Sequence, residues 1–91
     1  MTTEKAFGKF LERIQRIQRF HFNEGTDKYL AVNTKSDDCG LSIIVVAYNM
    51  NVTFHTEDGE PYHFKYFYLY QFWDEEKNEQ QINEIVEFLR Q

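Results

Sequence analysis

Two long strand-like runs within residues 41–73 are folded back on each other at Asp58-Gly59, and no other stretch restricts the fold so strongly. Asp-Gly between alternating runs points to a type I′ hairpin turn, whose two central residues both need positive φ. Read as a two-residue turn, it sets Glu57 opposite Glu60, Phe54 opposite His63 and Tyr48 opposite Leu69. One face of the hairpin then takes Ile44, Val46, Tyr48, Met50, Val52 and Phe54 with Phe67, Leu69 and Trp73, and is expected to be the core face. The other takes Ile43, Val45, Ala47, Asn49, Asn51, Thr53 and His55 against Tyr62, Phe64, Tyr66, Tyr68, Tyr70 and Phe72. A bulge near Asn49-Met50-Asn51 would exchange the faces beyond it, because a one-residue slip turns every side chain over.

The flanking segments read as helices. Phe7, Phe10, Leu11, Ile14, Ile17 and His21 recur at helical spacing, which predicts a helix over about 3–20 with Thr3 as N-cap. Gly25 or Asn23 closes it. Tyr29, Leu30 and Val32 mark a strand over 28–34, and residues 35–40 read as a polar loop. Asp74 caps a last helix whose apolar stripe is Ile82, Ile85, Val86 and Leu89. The expected architecture is a single α+β domain over 1–91, in the order α-β-β-β-α. Its antiparallel sheet carries the helices on one face, so the tyrosine-bearing face is left at least partly open.

Charge narrows the partners. The chain carries −5 overall, yet residues 1–22 hold five basic side chains against Glu4 and Glu12, a balance of +3 that leaves −8 for the rest. An acidic body disfavours general nucleic-acid binding, which needs a broad basic surface. The basic residues of the first helix lie opposite its apolar stripe. A solvated outer face explains them, and a docking strip for an acidic partner, a phosphate backbone or anionic lipid is the functional alternative. The strongest apolar run, residues 43–48, is far too short to cross a bilayer, and no apolar leader opens the sequence, so the reading is cytoplasmic with no membrane partner.

No reaction is written in the residues. The single cysteine, Cys39, follows Asp37 and Asp38, whose charge disfavours a thiolate. His55 and His63 fall on opposite faces of the expected hairpin, so they do not share a metal. The four glycines are scattered rather than gathered in a phosphate-binding loop. No catalytic residue, metal ligand or cofactor is therefore expected.

The order α-β-β-β-α resembles that of double-stranded RNA-binding domains over nearly the whole chain. That family uses a basic second helix against phosphates, whereas here it opens Asp74-Glu75-Glu76, so the resemblance implies no RNA function. The expected role is non-enzymatic protein binding, first to a second copy of the chain as a homodimer, through Asn49, Asn51, Tyr62, Phe64, Tyr66, Tyr68 and Tyr70. One alternative is an acidic inhibitor, immunity or phage anti-defence protein that blocks a basic nucleic-acid-handling enzyme through Glu76, Glu79 and Glu84. Another is a single-strand binder that stacks bases on the tyrosines.

Overall fold

The computed structural model describes residues 1–91. Helix α1 (Glu4–Glu24) leads into strands β1 (Lys28–Asp37) and β2 (Gly40–Asn49). A short ribbon of β3 (Phe54–His55) and β4 (Pro61–Tyr62) follows, then β5 (Phe64–Tyr70) and helix α2 (Glu75–Arg90). The three long strands form an antiparallel sheet in the order β1-β2-β5. Setting the ribbon aside, this is the expected α-β-β-β-α domain, with both helices packed on one face of the sheet.

The helix ends follow from their caps. Thr3 Oγ1 accepts the Ala6 N–H at 3.1 Å and Asp74 Oδ1 accepts that of Lys77 at 2.8 Å, each satisfying an otherwise unpaired first-turn donor. Helix α1 continues past the expected stop at residue 20 and closes where the Gly25 N–H donates to the His21 carbonyl. It buries Phe7, Phe10 and Ile14, and α2 buries Ile82, Ile85, Phe88 and Leu89. These meet Leu30, Ile43, Val45, Ala47, Phe67 and Leu69 from the sheet to form one core. Val86, expected in the apolar stripe of α2, is only half-buried, while Phe88 stacks on Phe54 at 4.8 Å and holds the β3–β4 ribbon against the helix.

The hairpin register differs from expectation. Val45 lies opposite Phe67, where a two-residue Asp58-Gly59 turn would have placed Phe72. The shift is five residues, and it has two sources. The turn is a three-residue loop: Gly59 N–H donates to Thr56 O and Thr56 N–H to Glu60 O, both at 2.9 Å. Only Gly59 in that loop has positive φ (84°), so Asp58 keeps an ordinary conformation and the type I′ turn is not formed. That accounts for one residue. The other four come from residues 49–53, which bulge out opposite His63 alone between the two paired regions.

An odd shift reverses the face one strand shows relative to the other. Strand β5 keeps its expected sides, with Phe67 and Leu69 inward and Tyr66 and Tyr68 outward. Strand β2 is the correction: Ile43, Val45, Ala47 and Asn49 face the helices, and Ile44, Val46 and Tyr48 face away. At the other end of the sheet, the expected loop 35–40 contracts to Asp38-Cys39, because β1 and β2 pair as far as Asp37 and Gly40. Gly40 sits at φ 99°, and a Cβ there would lie 2.8 Å from Gln71 Oε1. That same oxygen accepts the Leu41 N–H at 3.1 Å, so glycine lets the side chain of Gln71 close the end of the sheet.

Candidate functional site: the open sheet face

The face turned away from the helices consists of four cross-strand rows. They are Tyr29-Tyr48-Phe64, Ala31-Val46-Tyr66, Asn33-Ile44-Tyr68 and Lys35-Ser42-Tyr70. Neither helix covers them, and Phe64, Tyr66 and Tyr68 remain 45%, 53% and 39% exposed. Along β5 the rings of Tyr66, Tyr68 and Tyr70 stand nearly parallel at 6.5 and 6.2 Å, the two-residue repeat of a strand. The ladder continues to Phe72, 5.1 Å from Tyr70, and Trp73 meets Tyr70 edge-on at 4.7 Å. Lys77 Nζ lies 3.8 Å over the Trp73 ring and caps that end by a cation–π contact. No carboxylate occurs in the four rows, and Lys35 is their one charged side chain.

Of the residues expected here, Phe64, Tyr66, Tyr68 and Tyr70 lie on this face. Asn49, Asn51 and Tyr62 do not. Asn49 is fully buried on the helix side. Its Nδ2 donates to the Phe88 and Gln91 carbonyls, at 3.0 and 3.3 Å, so it satisfies the last turn of α2. Its Oδ1 accepts the Asn51 N–H at 3.1 Å. Asn51 is exposed in the bulged segment and donates to the Thr26 carbonyl. Tyr62 stacks on Phe54 at 5.4 Å against the core. In their place come Tyr29 and Tyr48, which only the register of the β1–β2 hairpin could have revealed, and Ile44 and Val46 from the reversed strand.

The acidic trio spans one broad arc of α2: at about 100° per residue Glu76 falls about 60° from Glu79 and about 80° from Glu84, which point roughly 140° apart. Glu79 is engaged with Arg13 of α1. The hydrogen bond from Arg13 holds its carboxyl below the ordinary value, helped by the guanidinium charge and opposed by partial burial. Glu84 accepts from Gln81 at 3.2 Å, and Glu76 is exposed. His63 Nδ1 lies 3.0 Å from the Val52 carbonyl, His55 is exposed, and nowhere do three His, Cys, Asp or Glu side chains converge as metal ligands.

A second concavity, of about 630 Å³, opens between the C-terminal half of α1, the start of β1 and the end of α2. Ile17, Phe20, Val86 and Leu89 give it an apolar floor, and Arg13, Arg16, Lys28 and Arg90 a basic rim. His21 completes the rim, its Nδ1 2.7 Å from Thr26 Oγ1. Burial, and then the neighbouring Lys28 ammonium, lower the His21 pKa below its usual 6.5. No helix is long and apolar enough to cross a membrane. Comparison with protein-family models, curated proteins and solved structures finds no match.

Proposed function

We propose that the chain is a non-enzymatic protein-binding domain that pairs with a second copy of itself through the open sheet face. The observation that carries this reading is the uncovered grid of four rows, rich in aromatic side chains and free of carboxylates on a chain of net charge −5. Two copies can bring such faces together without setting like carboxylates opposite each other, and a two-fold axis would match the patch to itself. Tyrosine and phenylalanine suit an interface because they bury much area with few rotors, and the tyrosine hydroxyl tolerates a wet rim.

The area is of the right order. Tyr29, Phe64, Tyr66, Tyr68 and Phe72 are each about half exposed. At about 200 Å² per aromatic side chain they present roughly 500 Å². The half-buried Tyr48 and Tyr70 and the aliphatic Ile44 and Val46 add to the patch, against the ~800 Å² per partner of a standard interface. A nucleic-acid strand is served poorly, since it needs cations beside the stacking rings and the grid holds only Lys35.

Light scattering should give about twice the 11.1 kDa chain mass. Tyr66→Glu with Tyr68→Glu should give a folded monomer, because each interface would gain four facing carboxylates while the core is untouched. A wild-type chain that stays monomeric at millimolar concentration would overturn the reading. Saturable binding of single-stranded RNA at the tyrosines in low salt would replace it with the nucleic-acid one.

A further inference from the structure

The basic groove is separate from the sheet face, and its composition is unusual for this chain. Acidic side chains outnumber basic ones by 15 to 10, yet cationic groups converge on the groove from α1, β1 and α2 rather than along a single helix face. Arg16 and Lys28 have no carboxylate within salt-bridge distance, and Arg90 has only the long 3.9 Å contact to Glu87. Beneath them the floor is apolar, and Phe20 remains 57% exposed at its edge. An inorganic anion would leave that floor unused, and a neutral apolar molecule would leave the rim unpaired. The volume lies in the range of pockets that hold small organic ligands.

We infer that this groove binds a small anionic amphiphile, its carboxylate or phosphate head held by Arg16, Lys28 and Arg90 and its apolar body laid over Ile17, Phe20 and Val86. Arginine can grip such a head with two parallel N–H donors, while lysine supplies a compact charge beside it. With Arg13 already committed to Glu79, Arg16, Lys28 and Arg90 carry the electrostatics. The head could belong to a free molecule or to a membrane surface. The groove is formed within one chain and needs no second copy, and the free molecule is the form that reaches its floor.

The test uses the full chain at pH 7 with decanoate as probe, decanol as its uncharged counterpart, and vesicles of phosphatidylglycerol with phosphatidylcholine. Calorimetry should show saturable binding of decanoate, and amide chemical-shift changes should gather at Ile17, Phe20, Thr26 and Val86. Arg16→Gln with Lys28→Gln should weaken decanoate by about tenfold or more, as expected for losing two charge-assisted contacts. Phe20→Ser should weaken it through the floor. All these positions are at least partly exposed, and an unchanged circular dichroism spectrum verifies folding. Decanoate and decanol binding equally well, shifts confined to the tyrosine face, or binding to vesicles alone would each overturn the inference. Loss of the decanoate preference, or binding to vesicles alone, leaves the pairing of sheet faces untouched, because that is read separately by light scattering.

Discussion

Asn78 ties the start of α2 to the end of β5 and to Thr2, and nothing in its sequence context announces it. It is fully buried, and its amide both donates to the Tyr70 carbonyl at 2.9 Å and accepts the Tyr70 N–H at 3.1 Å. Helix α2 thereby pairs the outward backbone groups of Tyr70 at the end of β5. The same Nδ2 donates to Thr2 Oγ1, whose hydroxyl in turn donates to the Trp73 carbonyl at 2.7 Å. Asn78→Leu keeps the volume but strands the Tyr70 N–H, while the Tyr70 carbonyl keeps the Trp73 N–H at 3.1 Å. An unpaired, partly buried backbone donor costs about 1–3 kcal/mol, so the substitution should cost about that much in urea unfolding. A loss under about 1 kcal/mol would show that water replaces the amide. Asn49 is the parallel case: it was legible as a polar residue in an apolar strand, and its polarity serves the end of α2 rather than a partner.

At the scale of elements, α1 and α2 are tied across their packed faces by Arg13 and Glu79. Glu79 has its folded pKa lowered, so its contribution to stability is present above the unfolded value of 4.5 and is lost as pH falls through the lower folded value. Arg13→Gln should therefore narrow the gap between neutral and acid stability. Urea midpoints of wild type and variant should differ most above the unfolded value of 4.5 and converge as pH falls below it. His21 lies outside the pair and titrates in both proteins, so it leaves their difference unchanged. A difference that persisted undiminished at acid pH would assign the role of Arg13 to its packing against Phe10, 5.9 Å away, instead of to its charge.

The elements themselves were legible because their signals are local: Thr3 and Asp74 as caps, helical spacing in α1 and α2, and alternation in β5. Strand β2 was not, because residues 43–48 are apolar on both sides and periodicity has nothing to separate. Its facing depended on counting from the turn, and the count failed at the three-residue loop and again at residues 49–53. The tyrosine ladder survived that error, since its own alternation fixes it. The basic groove was out of reach, because it is assembled from residues as far apart as Arg13 and Arg90.

For the whole molecule, burial is concentrated on one side of the sheet. Thirteen apolar residues fill the layer between sheet and helices, and the opposite face has no second layer. A chain of this size has only about 5–14 kcal/mol of stability to lose. Pairing of two sheet faces should thus raise the melting temperature with protein concentration, by mass action. A scan from about 5 to 500 μM should show the rise for wild type, and Tyr66→Glu with Tyr68→Glu should abolish it. A melting temperature independent of concentration across that range would argue against the pairing even if light scattering showed a larger species at one concentration.

The attachment of Thr2 also orders events in time during synthesis. Its backbone N–H donates to Gln71 O, and its hydroxyl meets Trp73 and Asn78, the last 76 residues downstream. At about 5–20 residues per second, the ribosome takes roughly 4–15 s to supply that partner after Thr2 is made. Through that interval Phe7, Phe10 and Ile14 have no complete sheet to cover them, although the β1–β2 hairpin can already form from neighbouring residues. Within this domain α1 is thus made before the strands that cover it, and its N-terminal anchor closes only once α2 is available.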